Sequence, residues 1–456
     1  MMLRHCLLIC LLVSISAIRV SGQTAITGGY GSVDSLLAAE YPPTGPGIAV
    51  LASKGDKIVF RKSYGLADIK NNVELSTEMI FEIGSMTKQF TSAAVLQLVE
   101  AGRVRLDDPI RAYVSGFPEK PYPITIHQLL SQTSGIPEFF DVDESEFDKL
   151  ATVHTPEELI DYYRDRPLDF EPGTEFAYSN SNYPLLGLVV ERVTGIPLAE
   201  YFERFIFTPL GMDHTSLWYS SERPPVPVGY RLNAAGEQVR SPPIDGSTVY
   251  AAGGIVSTLG DLYRWNNELK RPTHLSKRIV SQLIREKKTT DKAGTGYGYG
   301  FFVGEWNGHR LIHHGGNMYG FTSAAMYLPK PDVFVCVLAN SAFANTENIA
   351  RFVAGHLLEA PIAYYRQLAP HVLQDYVGRY ILEGPTEKQI DIKLHEGVLV
   401  VHFPDNPASD VSVYGDGPDT FSSPRVDLSM VFAREQGAVV GFTAYQGGAF
   451  AFRRVP

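Results

Sequence analysis

Ser85 and Lys88 stand three residues apart at the head of an apolar run that continues through Phe90, Ala93, Ala94, Leu98 and Val99 to Gly102. Residues three apart on a helix share a face. The run is apolar nearly all round, which predicts a buried central helix that begins at Met86 and ends near Gly102. A lysine at the start of such a helix meets the positive end of the helix dipole and loses its hydration, and both effects depress its pKa. A neutral amine within hydrogen-bond reach of a hydroxyl can take its proton, which is how a serine becomes a nucleophile. The pair S-x-x-K is only two fixed residues and recurs by chance. No other serine in this chain is followed by a lysine three residues on.

Two further groups of residues suit the same chemistry. In Glu171-Pro172-Gly173-Thr174-Glu175-Phe176-Ala177-Tyr178-Ser179-Asn180 a turn leads into Tyr178 and Asn180, which point the same way from extended backbone. A phenol hydroxyl near a lysine can relay a proton, and a side-chain amide can bind a substrate amide or the lysine itself. In His313-His314-Gly315-Gly316-Asn317 the paired glycines let a substrate backbone lie against a strand, and an N–H there can form half an oxyanion hole. Adjacent histidines invite a metal, but no carboxylate or thiolate stands at ligand spacing and no H-E-x-x-H occurs. Neither a metal nor a cofactor is expected.

These residues need a framework, and 456 residues are enough for two domains. A net charge of −10 argues against nucleic acid or an anionic membrane surface as the main partner but does not say what is bound; the chemistry of the three groups of residues leads to the expectation of a small-molecule or peptide substrate. Residues 1–22 read as a secretory signal: Arg4 and His5 precede the apolar run Leu7 to Val13, and Val20-Ser21-Gly22 offers small residues for cleavage. That run is too short to span a bilayer, so a secreted or periplasmic chain without an integral membrane segment is expected. Cys6 and Cys10 leave with the signal. Cys336, in Val333-Phe334-Val335-Cys336-Val337-Leu338, then has no disulfide partner and reads as a small buried hydrophobe.

Gly47 to Ala52 and Lys57 to Phe60 form a hairpin pattern around Ser53-Lys54-Gly55-Asp56. After the central helix, residues 103–213 read as mostly helical, with helices at Ile126 to Ser131, Thr155 to Arg164 and Tyr183 to Thr194. Residues 221–250 are too irregular to assign. Strands return at Arg310 to His313, Phe321 to Leu328 and Asp332 to Ala339, followed by a helix from Thr346 to Leu358. That order implies one antiparallel sheet built from both ends of the domain with a helical insertion between. Beyond Pro361 six short strands follow one another without helical periodicity, at 376–381, 389–394, 398–403, 430–434, 439–445 and 449–453. They predict a small antiparallel barrel or sandwich. The expected division is 1–22 signal, 23–364 hydrolase domain and 365–456 barrel.

Together, S-x-x-K at Ser85 to Lys88, Y-S-N at Tyr178 to Asn180 and H-G-G at His314 to Gly316 resemble the serine β-lactamase and penicillin-binding protein family. The similarity is closest to its class C β-lactamase, DD-peptidase and esterase branch. It extends to the stretch from Ile124 to Gly135, to Pro209-Leu210-Gly211-Met212 and to the stretch from Ala252 to Thr258, and covers about residues 30 to 360. The resemblance implies an α+β fold of three α/β/α layers with a central antiparallel sheet and a helical subdomain. It implies Ser85 as the acylated nucleophile, Lys88 as its base and Tyr178 as proton relay, with Asn180, His314, Gly315, Gly316 and Asn317 binding substrate. The oxyanion would lie between the N–H groups of Ser85 and Asn317. Tyr376-Val377-Gly378-Arg379-Tyr380 and the strand spacing resemble the lipocalin-like barrel appended to some members.

At the third box this chain departs from the family's K-T-G. His314 and Gly315 stand where a lysine and a threonine hold a substrate carboxylate, so a permanent charge and a hydroxyl are lost. An H-x-G box occurs in members that act on D-amino-acid peptides, amides and esters. A broad peptidase of the DD-peptidase or D-aminopeptidase kind is therefore expected, with an esterase, a weak β-lactamase or a non-catalytic scaffold as alternatives. His314 is expected to be neutral near pH 8 and to regain its charge in mild acid.

Overall fold

Two apolar strands set the layering. The structure, a computed structural model, describes residues 30–139, 152–218, 225–233, 238–242, 244–358, 370–383, 388–395, 398–404, 410–417, 419–423, 428–445 and 449–455. Strand Ile48–Lys54 pairs antiparallel with Val333–Ala339, Ile48 opposite Ala339 and Lys54 opposite Val333. Successive side chains on a strand point to opposite faces. Here Ala49, Leu51, Phe334, Cys336 and Leu338 enter one core with the central helix, while Ile48, Val50, Val333, Val335 and Val337 enter a second with helices Tyr30–Glu40 and Thr346–Leu357. Both strands therefore read as unbroken apolar runs. Burial pushes the Cys336 thiol up, as for a small hydrophobe.

The full sheet runs Phe302–Trp306, His309–Met318, Phe321–Leu328, Val333–Ala339, Ile48–Lys54, Lys57–Tyr64, every neighbouring pair antiparallel. Helices cover both faces, so the chain has the three-layer arrangement with a sheet drawn from its two ends. The third box differs from expectation. It lies inside the strand His309–Met318, paired throughout with Phe321–Leu328, where the sequence suggested a strand ending at His313.

The central helix spans Thr87–Glu100, with Thr87 to Leu96 and Leu98 all buried, and Gly102 follows it at φ 70°. It packs against helix Asn182–Thr194, the turn Tyr250–Gly253 and helix Lys277–Leu283. Two short helices of this subdomain, Ile126–Leu130 and Pro156–Asp161, start with capping boxes, Thr125 with Gln128 and Thr155 with Glu158. Within the stretch the sequence left unassigned, Tyr230–Leu232 and Gln238–Arg240 form a hairpin.

The C-terminal region is a closed antiparallel barrel of eight strands, Gly378–Leu382, Gln389–His395, Val398–His402, Val411–Gly417, Thr420–Ser422, Ser429–Glu435, Ala438–Tyr445 and Ala449–Val455. Two of these, Val411–Gly417 and Thr420–Ser422, escaped the sequence reading because Gly415, Asp416, Gly417 and Pro418 break the alternation that marks a strand. An eight-stranded barrel is just wide enough to be filled by side chains. Tyr380, Phe421, Phe432, Phe442 and Phe452 do so here, with ring centroids such as those of Phe442 and Phe452 4.7 Å apart. Residues 1–22 and the expected boundary at 364/365 lie outside the described residues.

Candidate active site

Ser85 sits in the single 3-10 turn Gly84–Met86 that runs into the central helix, and Lys88 occupies the helix's first turn. The lysine side chain is fully buried, with Nζ 3.1 Å from Ser85 Oγ. Nζ also donates to Asn180 Oδ1 at 2.7 Å and to the carbonyl of Ala252 at 2.9 Å. Burial holds the Lys88 amine down at about 7, against a smaller upward pull from the Glu138 carboxylate. A neutral amine has two hydrogens and one lone pair. The two carbonyl oxygens accept the hydrogens, so the lone pair is left facing the serine hydroxyl.

Asn180 is itself held. Its backbone N–H donates to Glu138 Oε2 at 2.6 Å and its Nδ2 to the same oxygen at 3.1 Å, which fixes the amide with Oδ1 towards Lys88. Glu138 was not singled out from the sequence, since nothing about its spacing to Tyr178 or Asn180 marks it. The Ala252 carbonyl lies in the stretch 252–258 that carried the family resemblance, but only the fold shows its partner.

Tyr178 lies beside the pair, its ring centroid 5.0 Å from Lys88 Nζ, packed among Tyr297, Phe302 and His314. Its hydroxyl is buried and has no hydrogen bond of good geometry among the described residues, while the Ser85 hydroxyl is near enough to ease its ionisation slightly. Desolvation outweighs that help and pushes the phenol well above its ordinary value. Tyr178 is therefore held as a neutral phenol, able both to donate and to accept a hydrogen bond.

Gly316 of the third box is also required by a close approach of the protein's own backbone. A Cβ on Gly316 would lie 2.1 Å from the Ile83 carbonyl, and one on Gly84 (φ 53°) 3.0 Å from the backbone N and O of Asn317. The turn that carries Ser85 is thus in backbone contact with the strand, and Ser323 Oγ donates to Ile83 O at 2.8 Å across the same join. This contact places the N–H groups at Ser85 and Asn317 in one neighbourhood, and both residues line a cleft of about 360 Å³.

His314 does not line that cleft and is almost fully buried. Its Nδ1 donates to the carbonyl of Gly315 at 2.6 Å, and Nε2 accepts from the Tyr297 hydroxyl at 3.3 Å. Burial first, and then the nearby Lys88, lower its pKa to about 3. The expectation that mild acid restores its charge is overturned, because a packed imidazole between aromatic rings has no water to solvate an imidazolium. No group of three or more His, Cys, Asp or Glu side chains arranged to hold a metal ion occurs among the described residues.

A hydroxyl beside a buried amine at the head of a helix, with a strand pressed against the turn that carries it, is an arrangement that suits a serine nucleophile with an amine as its base. Residues 39–359 match the family model described as Beta-lactamase, and the chain belongs to that family. It is 31% identical over 315 residues to Protein flp of Staphylococcus aureus strain MRSA252, a match that covers 68% of this chain and 61% of that protein. The chain therefore spans less than two thirds of the length of that relative. Among solved structures it is similar to an octameric penicillin-binding protein homologue from Pyrococcus abyssi (TM-score 0.69, 26% identity, 93% of this chain and 100% of the other). It also shares the fold of a D-stereospecific amidohydrolase from a Streptomyces species (TM-score 0.62, 24% identity, 72% and 98%).

Proposed function

We propose that this protein is a secreted or periplasmic serine hydrolase that cleaves peptide, amide or ester bonds through an acyl-enzyme on Ser85, with substrates containing D-amino acids foremost. The observation that carries the reading is the buried Lys88 amine, held near 7 and 3.1 Å from the Ser85 hydroxyl with its two N–H directions already taken. Neutral Lys88 accepts the serine proton as Oγ attacks the carbonyl carbon. The negative charge that develops on the carbonyl oxygen is met by the N–H groups of Ser85, at the positive end of the central helix, and Asn317. As the tetrahedral species collapses, the proton passes from Lys88 through the Tyr178 hydroxyl to the leaving amine or alcohol. Water then repeats the sequence in reverse and frees Ser85.

The preference for D-amino-acid substrates rests on the H-x-G form of the third box. A second reading, an esterase using the same residues, draws on the apolar walls that Val249, Ala252, Met318 and Ala342 give the cleft. A scaffold without activity sits poorly with a connected Ser85, Lys88, Asn180 and Glu138. The test is a panel of D-peptides, β-lactams and short-chain esters, with covalent labelling by a fluorophosphonate or a β-lactam located by mass spectrometry. Ser85 is expected to carry the label, and Ser85→Ala to lose all turnover while keeping its fold. Full activity in that variant would sink the assignment.

A further inference from the structure

The stretch from Ile124 to Gly135 carries part of the family resemblance, yet the mechanism so far draws on none of its residues. Within it Gln132 is fully buried and stands at φ 62°, in the left-handed region that a long side chain enters only when its surroundings hold it there. What holds it is the Tyr178 segment. The main-chain carbonyl of Gln132 accepts from Ala177 N at 3.0 Å, and its side-chain Oε1 accepts from Ser179 N at 3.1 Å, so one residue grips the chain on both sides of Tyr178. Oε1 also accepts from Asn182 Nδ2, at the start of the helix that follows. Two donors on one oxygen fix which way the amide points. We propose that Gln132 is a positioning residue for proton transfer: by clamping Ala177 and Ser179 it sets where the Tyr178 hydroxyl lies between the Lys88 amine and the leaving group. The inference rests on the reading of Ser85 as the acylated residue and Tyr178 as the relay, and adds what keeps the relay in place.

Tyr178 needs such a clamp. Its hydroxyl has no hydrogen bond of good geometry among the described residues, and its ring rests on Tyr297, Phe302 and His314, contacts that resist sliding less than directional hydrogen bonds to the flanking backbone do. The backbone beyond Gln132 repeats the grip: Gly173 N donates to Thr133 O at 2.7 Å and Asp169 N to Gly135 O at 2.8 Å, so the stretch runs along the second box and its lead-in. The other end of the Gln132 amide extends the support. Its Nε2 is buried, without a hydrogen bond of good geometry among the described residues, and lies near enough to the Tyr297 hydroxyl to ease that group's ionisation. Tyr297 in turn donates to His314 Nε2 at 3.3 Å. Gln132 and Tyr297 thus join the second box to the third through buried polar groups. Neither lines the cleft, so each acts on the reaction through Tyr178 and His314.

The experiment compares two butanoate esters on the full chain. p-Nitrophenolate leaves as a stable anion and needs no proton, whereas ethanol must be protonated as it departs, so kcat/KM for ethyl butanoate reports the relay and that for p-nitrophenyl butanoate does not. Tyr178→Phe sets the scale. Gln132→Asn suits the left-handed backbone but is a methylene too short to reach Ser179. It is expected to lower kcat/KM for the ethyl ester at least about 10-fold more than for the p-nitrophenyl ester, part of the roughly 10²- to 10⁴-fold that positioned proton transfer contributes. Gln132→Met, which keeps the volume and offers no carbonyl, should do the same, and adding Tyr178→Phe to either should cost the ethyl ester little more. A general loosening of the fold would lower both esters alike. Equal losses in both Gln132 variants overturn the proposal, as do unchanged turnover of ethyl butanoate, a loss that multiplies in full with that of Tyr178→Phe, or failure of both variants to fold, which would make Gln132 a structural residue only. The underlying reading fails separately. Ester hydrolysis that survives Ser85→Ala refutes the acyl-enzyme, and equal losses on the two esters in Tyr178→Phe refute the relay and the proposal with it. Unequal losses there with equal losses in the Gln132 variants refute only the role of Gln132.

Discussion

Lys88 is fully buried beside Ser85, and in the proposed mechanism that burial is what makes it a base. Its folded pKa, about 7, lies below the ordinary 10.5. The active, neutral form therefore grows as pH rises through about 7, and kcat/KM for a neutral ester should climb along a limb centred there. Glu138 opposes the shift, so Glu138→Gln removes the upward pull and should move that limb to lower pH. A limb that stays put would show that Glu138 only holds Asn180. Lys88→Ala and Tyr178→Phe should each cost about 10²- to 10⁴-fold in turnover, with the double variant losing much less than the product, because both act on one proton path. Independent, multiplicative losses in steady-state kinetics would contradict a shared path. His314, held at about 3, stays neutral, so any acid preference should show no added gain from His314 between about pH 5 and 8. A preference that rises steeply with acid would mean the imidazole can reach water after all.

Between elements, the decisive contact is backbone against backbone. The Ser85 turn and the site strand approach so closely at Gly84 and Gly316 that side chains cannot intervene. Gly316→Ala should force the strand from Ile83, costing about 1 to 3 kcal/mol by overpacking. Turnover should fall by more than tenfold as the two N–H groups part. Calorimetry and kcat on the same preparation check this, and an alanine variant with unchanged melting and turnover would remove the contact from the mechanism. The motif H-G-G was legible in the sequence, but the close approach of the Ile83 carbonyl to Gly316 was not. Local spacing says that a side chain is absent and does not say whether substrate or protein fills the space.

Across the whole molecule three apolar cores are distinct: one on each face of the central sheet and one inside the barrel. Among the described residues the contacts between the barrel and the rest include Tyr414, which packs against the second core and donates its hydroxyl to Glu40 at 3.1 Å, and Ser423, whose carbonyl accepts from Asn345 at 3.3 Å. Glu40 and Asn345 belong to the helical layer on the side of the sheet away from Ser85. A chain ended after Pro361 should therefore fold and keep Ser85-dependent hydrolysis. Cooperative melting and ester turnover of the shortened protein test this, and an insoluble product would mean that the cores are merged. Among the described residues no helix is long and apolar enough to cross a membrane.

The amino-acid order alone settled what depends on neighbours in the chain. The buried central helix follows from its all-round apolar run, the antiparallel sheet drawn from both ends of the domain from the order of its strands, and the Ser85 and Lys88 pair from a spacing of three. Long-range approach decided the rest: Glu138 behind Asn180, the Ala252 carbonyl beneath Lys88 and His314 sealed among aromatic rings. A pKa or a binding role depends on what surrounds a group in space. Only the packed chain determines how much water each of these side chains keeps.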